Sequence, residues 1–413
     1  MATNIFNVLN TAQEGLRSQL LAMEVTGHNI ANVQTEGYSR QEVSFETKIP
    51  RFTETGRIGT GVKVGGIDRA HDEFLHLQIL GESQELGKSR VKKEVYDQIE
   101  ILLSENSGQS VNKSLSNFFS GIQDVASNPT SPAERSTLLA EGQELVSTFN
   151  NLGESLFQIQ QNLNAAVSVD IGKVNSFIKE IAQLNEVIHA NEPTTFSAND
   201  YRDQRDLKVK KLNEIIDLNY IDENDGQISL TRTDGTPLVL NSTAFTLLTS
   251  TNGNNKSFND VIVQGPEGNK TNITSTITGG TLKGYLDMRD KIVEEVKDKL
   301  DRLAAGFVKE FNEIHQQGFG IDGSTGNNFF KALKTTVLKN VNNTGSAKLI
   351  ATNGDPSNIS IDKYEITISG TNSFTLKNLT TGSSSGTFTF QQGSSFNLAN
   401  GYAVTISGTP AVG

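Results

Sequence analysis

Two acidic loops carry the residue types that most often bind calcium. Residues 222–226 read Asp-Glu-Asn-Asp-Gly, and residues 322–327 read Asp-Gly-Ser-Thr-Gly-Asn. A calcium loop of this kind takes oxygen ligands from alternate positions and closes with a bidentate Glu at position twelve. Thr233 and Leu333 stand at those positions here. Turns stabilised by Asp, Asn and Gly explain both loops better, so we predict no metal site.

The histidines are the second group that could bind a metal or transfer protons. The five are scattered along the chain at His28, His71, His76, His189 and His315. His71 and His76 are five residues apart, which misses the four-residue spacing of a metal-binding pair on one helix face. The chain has no cysteine, which excludes a thiol nucleophile. We therefore predict that the protein is not an enzyme, with no catalytic, cofactor-binding or metal-binding residues.

The composition favours a scaffold over an enzyme core. The 413 residues include 37 glycines and no tryptophan, and the formal net charge is −11. A chain of this length is expected to form two to four domains. Nucleic acids and anionic membranes require a basic face, which this chain lacks. The densest basic run, 208–211, lies beside Asp203, Asp206 and Glu214, which predicts a solvated face of mixed charge.

The start of the chain does not look like a cleavable secretory signal. Its first ten residues, MATNIFNVLN, lack a basic cluster and an uninterrupted apolar run, and no later segment reads as a transmembrane span. The absence of cysteine leaves the redox compartment open. Composition alone therefore indicates a cytoplasmic protein.

An apolar stripe, here called the N-terminal seam, runs along the first thirty residues. It consists of Ile5, Leu9, Leu16, Leu20, Met23 and Ile30, with Ala12 and Gly27 in the same series. The spacing of three and four residues is close to an eleven-residue repeat and predicts a nearly straight helix. One narrow stripe does not stabilise a lone helix in water, so we expect a partner to cover it. A helix packed on its own domain is the alternative.

A long helix is predicted to begin at Pro132. Ser131 suits the N-cap, Pro132 the first helical position, and Glu134 can reach back in a capping box. Apolar residues then repeat with heptad spacing, which predicts a coiled-coil seam: Leu145, Phe149, Leu152, Leu156, Ile159, Leu163 and Ala166, then, after a slip of one residue, Val167, Ile171, Val174, Ile178, Ile181 and Ile188, with Asn185 as a polar interruption. Some 58 residues of helix would span about 90 Å, a length that suits scaffolding.

Elsewhere the pattern alternates between helix and strand, so the predicted fold is α+β and multidomain. Ile228 with Leu230 and Leu238 with Leu240 flank Asp234-Gly235, which predicts a hairpin. We expect an elongated helical bundle or coiled-coil domain with inserted small β domains and a separate N-terminal helix. The predicted boundaries are 1–75 for the N-terminal helix, turn and β-rich connector, 76–220 with 280–334 for the helical core, 221–279 for an inserted β domain, and 335–413 for a second β domain.

Residues 29–41, here called the signature turn, interrupt the helical pattern abruptly. Asn and Thr side chains compete for backbone hydrogen bonds and glycine tolerates positive φ, so a fixed turn is predicted. After a helix at a chain start, this pattern resembles the signature of the bacterial flagellar rod, hook and hook-associated proteins. The residues that carry the resemblance are Asn29, Asn32, Thr35, Gly37 and Tyr38, and the Ser39, Arg40, Gln41 continuation is most similar to the members at the hook–filament junction.

Four further segments resemble the family in its own order, at 115–135, 203–206, 300–304 and 406–410. The resemblance implies an axial structural protein that forms a ring-like layer between hook and filament. It implies as partners other copies of the chain, the hook protein, the next hook-associated junction protein toward the filament, and the flagellar export apparatus. The implied location is extracellular, on the flagellum, reached without a cleaved signal peptide, and no nucleic acid, membrane or cofactor is implied.

The resemblance also implies roles within the signature turn. Asn29, Asn32, Thr35 and Gly37 would fix the turn that aims the helix inward, and Tyr38 and Arg40 would contact the next domain or subunit. Two alternatives stay open. Another axial rod or hook protein would share the signature but lack the long capped helix, and an adhesin or enzyme module on a flagellar scaffold would need a binding or catalytic constellation in the β modules.

The end of the sequence departs from the family pattern. Family members end in an amphipathic helix that pairs with the N-terminal one, whereas this sequence stops at Gly413 in β-like residues. We therefore expect residues 1 to about 40 to be poorly ordered in the isolated protein, with weak amide-exchange protection. The family's export chaperone docks on that C-terminal segment, so its binding to this chain is doubtful.

Overall fold

The computed structural model describes residues 2–53, 56–104, 110–192, 198–223, 225–353, 360–398 and 401–412. Its contacts divide the chain into two compact units. The first comprises Met1–Tyr96, Asn162–Thr251 and Asn259–Met288, and the second comprises Asp97–Gln161, Asn252–Phe258 and Arg289–Gly413. Both units combine helices with small sheets, which confirms the α+β, multidomain prediction.

The helices account for most of the regular structure. A π-helical turn at Met288–Ile292 joins the last two, and no helix among the described residues is long and apolar enough to cross a membrane. In chain order they are α1 (Ala2–Ala31), α2 (Glu73–Leu103), α3 (Val111–Ser127), α4 (Pro132–Asn191), α5 (Asn199–Asn213), α6 (Gly280–Asp287) and α7 (Val293–His315).

The strands form small antiparallel sheets. The first unit holds the pairs β1–β4 and β2–β3, the four-stranded sheet β5-β6-β7-β8 and the sheet β9-β10-β11, and the second holds β12-β17-β16 and β13-β14-β15. The strands are β1 (Gln41–Thr47), β2 (Arg51–Thr53), β3 (Gly56–Ile58), β4 (Val62–Arg69), β5 (Asn219–Asp222), β6 (Ile228–Thr231), β7 (Pro237–Leu240), β8 (Thr243–Ala244), β9 (Thr246–Asn252), β10 (Phe258–Gln264), β11 (Lys270–Asn272), β12 (Lys348–Asn353), β13 (Tyr364–Gly370), β14 (Ser373–Asn378), β15 (Ser384–Thr389), β16 (Ser395–Asn397) and β17 (Tyr402–Ser407).

Helix α4 has the predicted start and nearly the predicted length. It begins at Pro132 and runs for 60 residues. Glu134 reaches back as expected, but its carboxylate accepts a hydrogen bond from the Ser131 hydroxyl instead of from the backbone N–H of a capping box. That hydrogen bond lowers the pKa of Glu134. The heptad positions are mostly buried, and Asn185 lies in the same buried stripe.

The core of the first unit forms where the C-terminal part of α4 meets α5 and the β5–β8 sheet. Ile178 and Ile181 of α4 pack with Leu212 of α5 and with Leu230 and Val239 of the hairpin. The predicted β6–β7 hairpin is present and pairs Leu230 with Val239, but Leu240, which the alternating pattern placed on the apolar face, is exposed.

The second unit has two separate cores. In its helical part the Phe118 side chain is fully buried and touches the rings of Phe307, Phe311, Phe329 and Phe330. In its β part the two three-stranded sheets enclose a core that contains Phe374, Leu376, Phe390, Leu398, Val404 and Ile406. These strands carry the period-two alternation seen in the sequence.

The charged residues of α5 lie in two different environments. Asp203 and Asp206 are buried and not on a solvated face, because both pair with Arg69. The prediction of a solvated mixed-charge face was therefore wrong for these two residues, although Lys208 does pair with Glu180 at the surface. Helix α5 begins at Asn199, and its N-cap, Ala198, makes no side-chain capping hydrogen bond.

The turn of the β6–β7 hairpin gives a prediction for acid stability. Partial burial alone would raise the pKa of Asp234, but hydrogen bonds from Thr276 and Thr236 and the charge of Arg232, 2.7 Å away, lower it to about 2. This is below its value in an unfolded chain. Because Asp234 is exposed and water screens its charge, the carboxylate contributes no more than about 1 kcal/mol above about pH 4, and the contribution is lost as the pH falls toward 2. Urea unfolding should show Asp234→Asn destabilised by about this amount at pH 6.

The difference between wild type and Asp234→Asn should shrink toward zero near about pH 2, where the native carboxyl is also protonated. Asp68→Asn, at an exposed position of β4, is the control and should behave as wild type at both pH values. An Asp234→Asn penalty that is independent of pH would contradict the assigned ionisation.

Candidate assembly site at the N-terminal helix and the signature turn

The N-terminal seam is the largest solvent-exposed apolar feature of α1. Its six residues, Ile5, Leu9, Leu16, Leu20, Met23 and Ile30, have exposed fractions between 51% and 71%. Large apolar side chains presented together to water mark an interaction surface. The expectation of poor order in residues 1 to about 40 stays a prediction for amide exchange.

The opposite face of α1 packs on its own β connector. Ser18 and Val25 are buried there. The Thr11 hydroxyl lies 3.4 Å from the Thr60 carbonyl oxygen, and Lys48 pairs with Glu14 at 2.5 Å. The helix is thus held by its polar and small face. Both sequence-based alternatives are partly realised, because α1 packs on its own domain while its seam remains uncovered.

The Asn29 side chain closes the signature turn. Its amide nitrogen donates to the Gln41 carbonyl oxygen at 2.9 Å, and its oxygen accepts from the Gln41 N–H at 2.9 Å and from the Tyr38 hydroxyl at 2.7 Å. Asn32 and Thr35 add the next layer. The Asn32 amide donates to the His28 carbonyl, and the Thr35 hydroxyl donates to the Asn32 side-chain oxygen. The end of α1 is thereby fixed to the start of β1.

The turn is docked on helix α5. The Ser39 N–H donates to an Asp203 carboxylate oxygen at 2.7 Å, and the Gln41 amide donates to Asp200 at 2.7 Å. Burial, followed by the negative charges of Asp200 and Asp203, raises the pKa of Tyr38. Arg40 instead pairs with Glu42 and keeps most of its side chain in solvent.

The ion pairs that hold the connector against α5 were not predicted from the sequence. Arg69, at the end of β4, lies 3.1 Å from Asp203 and 2.6 Å from Asp206, and all three side chains are largely buried. Arg69 thus bridges the connector to α5, and the carboxylate it holds in place is the acceptor for Ser39. The segment 203–206 could be noticed as similar to the family, but nothing in the sequence pairs it with a residue 134 positions away.

The residues first considered for metal binding take structural roles. Asp322 accepts hydrogen bonds from the N–H and hydroxyl of Ser324, which is a local turn. His76 is half-buried, which lowers its pKa, and its ring lies 5.2 Å from that of His71. Within the described ranges no group of three or more His, Asp or Glu side chains is arranged to hold a metal ion. Asn224 of the other loop lies outside those ranges.

The glycine at the turn gives a second prediction. Gly37 has φ of +81°, and a Cβ built on it would lie 2.9 Å from the Leu207 Cβ. Gly37→Val therefore introduces both backbone strain, of about 1–3 kcal/mol, and a clash with α5. We expect faster amide exchange across residues 29–41 and loss of assembly, with a smaller change in the global unfolding midpoint.

Gly27→Val is the matched control, because Gly27 is helical and a Cβ added to it would have no other atom within 4 Å. It should leave the rate of amide exchange in the turn unchanged from that of the wild-type chain. Normal filament formation by cells that carry Gly37→Val would contradict the role assigned to the turn.

A helix that exposes an apolar seam, held at a fixed angle on a folded body by a hydrogen-bonded turn, defines a structural assembly subunit. Residues 9–38 match the family model for flagella basal body rod protein, and residues 96–330 match the model described as flagellar hook-associated protein FlgK helical domain. The second match covers more than half of the chain. The chain therefore belongs to the FlgK family, that of flagellar hook-associated protein 1, a family of structural flagellar proteins.

Relatives and a solved structure agree with this assignment. Flagellar hook-associated protein 1 of Escherichia coli (strain K12) is 29% identical over 410 residues, covering 98% of this chain and 74% of the relative. The Bacillus subtilis (strain 168) protein is 29% identical over 359 residues, which cover 79% of this chain and 70% of that relative. The flagellar hook junction protein FlgK from Burkholderia pseudomallei superposes with a TM-score of 0.68 at 28% identity, over 81% of this chain. The chain spans 60% of that solved protein's length.

Proposed function

We propose that this protein is a structural subunit of the junction between flagellar hook and filament, where copies pack into a ring-like layer. The observation that carries the proposal is the N-terminal seam, whose six apolar residues are more than half exposed on a helix fixed by the signature turn. The role of the seam is mechanical, since it is covered by neighbouring subunits and does not shape a reaction centre. We accordingly propose no catalytic activity.

The energetics of the seam fit assembly by many weak contacts. Burying six such side chains contributes roughly 9–18 kcal/mol in total, at about 1.5–3 kcal/mol each. Association costs about 4–15 kcal/mol in lost freedom of motion. A single seam contact is therefore marginal, and stable packing requires several neighbours at once. A subunit with this balance stays separate in dilute solution and joins a structure that already presents several partners.

The proposed partners follow from the family and from charge. They are other copies of the chain, the hook protein on one side and the next hook-associated junction protein on the other. The net charge of −11 disfavours nucleic acid and anionic membranes. We propose an extracellular location reached through the flagellar export apparatus without a cleaved signal. A rod or hook protein is the less favoured alternative, because the family model that covers 96–330 is that of the hook-associated helical domain.

Immunogold labelling of detached flagella tests the proposal. Cells that lack the chromosomal gene are complemented with an epitope-tagged chain, and the expected label is a single band at the boundary between curved hook and filament. Untagged chain in the same cells is the control for antibody background. Label along the hook, within the rod or only in the cytoplasm would overturn the assignment.

A further inference from the structure

A β-hairpin of the connector presents apolar side chains that nothing in the described structure covers. This connector hairpin comprises residues 48–53 and 56–58, with β2 and β3 paired from Arg51 to Ile58. Ile49, Phe52 and Ile58 have exposed fractions of 89%, 72% and 56%. A two-stranded hairpin is at best marginally stable by itself in water. Its exposed apolar side chains indicate a surface that is covered by another molecule.

The connector hairpin is basic overall, in a chain that is acidic: its described residues include the three cations Lys48, Arg51 and Arg57, and the sequence has one carboxylate, Glu54, between its two strands. Lys48 forms an ion pair with Glu14, but the guanidinium groups of Arg51 and Arg57 form none with the described residues. The Arg57 guanidinium lies over the Phe52 ring, 4.6 Å from its centroid. Cationic and apolar groups are thus combined on the two strands of this hairpin. Such a hairpin suits a surface that is both apolar and acidic.

A groove that is both apolar and acidic lies between α2 and α5 of the first unit. It has a volume of about 480 Å³ and is lined by the apolar side chains of Leu75, Ile79 and Leu86. The carboxylates of Glu82 and Glu214 also line it and form no ion pair with the described residues, while Lys210 is its single cation. Its apolar side chains are more than two-fifths exposed.

We propose that the connector hairpin of one copy docks into the α2–α5 groove of a second copy. The three apolar side chains of the hairpin face the three apolar side chains of the groove, and its two arginines face the two carboxylates of the groove. The two surfaces are therefore complementary in polarity and charge. This proposal rests on the self-assembly proposed above and names a contact for it. Hairpin and groove are different surfaces of the same unit, so copies that each dock on the next make a head-to-tail contact. Repetition of such a contact generates a ring or a helical array.

Disulfide cross-linking tests the contact directly, because the chain has no native cysteine. Phe52→Cys and Ile79→Cys variants are co-expressed, and detached flagella are treated with a mild oxidant. The expected product is a covalent pair of one chain of each kind. Phe52→Cys with Leu338→Cys, a site that is 90% exposed in the second unit, gives the background for chance collisions. A Phe52–Ile79 yield no higher than this background overturns the proposal.

Charge reversal tests whether the connector hairpin binds the α2–α5 groove or another acidic surface. Arg51→Glu with Arg57→Glu in the Phe52→Cys chain, or Glu82→Arg with Glu214→Arg in the Ile79→Cys chain, should each lower the cross-link yield about tenfold. Combining the two reversed chains should restore it. Circular dichroism confirms that each reversed chain is folded, and failure of the combined pair to recover overturns the proposal.

The two proposals fail in different ways. Label at the hook–filament boundary with only background cross-linking refutes the hairpin contact alone. A strong cross-link in a protein that labels the rod or hook refutes the proposed location and leaves the contact standing.

Discussion

A chain in which Leu9 and Leu16 are both replaced by aspartate should fold normally and yet fail to support a filament. Both side chains are more than 60% exposed in the isolated protein, so their replacement should change the free energy of unfolding by no more than about 0.5 kcal/mol each. In an assembly the same substitutions remove about 3–6 kcal/mol of apolar burial and place two carboxylates in an apolar contact. Each seam contact should weaken at least about a hundredfold.

The measurement compares thermal unfolding of the purified chain with filament counts on complemented cells. Asn10→Asp with Thr26→Asp is the control, since both residues are exposed on α1 but lie off the N-terminal seam. It adds the same charge and should support normal filaments. Normal filaments with the seam variant would show that the seam is not buried in the flagellum. A lowered unfolding midpoint would show that the seam already packs within the monomer.

Local signals in the sequence were sufficient to predict the long helices. The start of α4 at Pro132 and its end at Asn191 depend on capping residues and on heptad spacing, which act over a few residues. The β6–β7 hairpin was also predicted, because two short apolar strands flank an Asp-Gly turn, although burial does not alternate along them: Ser229 is buried and Leu240 is exposed. The exposure of the seam was predicted only in part, since a stripe too narrow for a stable lone helix requires a partner but leaves open whether that partner is another subunit or the helix's own domain.

Long-range polar contacts could not be predicted in this way. Asp203 and Asp206 look like part of a solvated charge run until Arg69, at the end of β4, is found to pair with both of them. Asn185 looked like an interruption of an apolar stripe, but its side-chain amide donates to the Ile228 carbonyl and its oxygen accepts from Arg205. Periodicity reports which face of an element is buried. It carries no information on which distant polar group will satisfy a buried one.

Among these buried polar contacts, we expect those of Arg205 to contribute most to the free energy of unfolding. The side chain is fully buried, and its Nη1 donates to the Asn185 oxygen at 3.1 Å and to the Gly226 carbonyl at 2.7 Å. Burial lowers its pKa, an effect that the nearby Tyr220 and Asp206 oppose. Arg205→Met removes one member of a buried polar cluster: the Gly226 carbonyl loses this donor, and the Asn185 oxygen keeps only the longer hydrogen bond from the Ile228 N–H, at 3.3 Å. We expect a loss of about 3 kcal/mol in unfolding free energy.

The expected loss lies at the lower end for a broken buried ion cluster, because Nε and Nη2 of Arg205 find no hydrogen-bond acceptor among the described residues. Urea unfolding should show the loss in the transition of the first unit only, since the chain has two units and need not unfold in one step. Lys208→Met, on the same helix and paired at the surface with Glu180, is the control and should cost less than about 1 kcal/mol.

A second substitution then tests the cause of the loss. If the penalty comes from stranded acceptors, adding Asn185→Leu to Arg205→Met should cost less than the sum of the two single changes, because the stranded side-chain oxygen is removed with its donor. Strict additivity would instead mean that Arg205 acts through Asp206 and Gly226 alone. A neutral Arg205→Met would show that the buried cation contributes nothing to the stability of this unit.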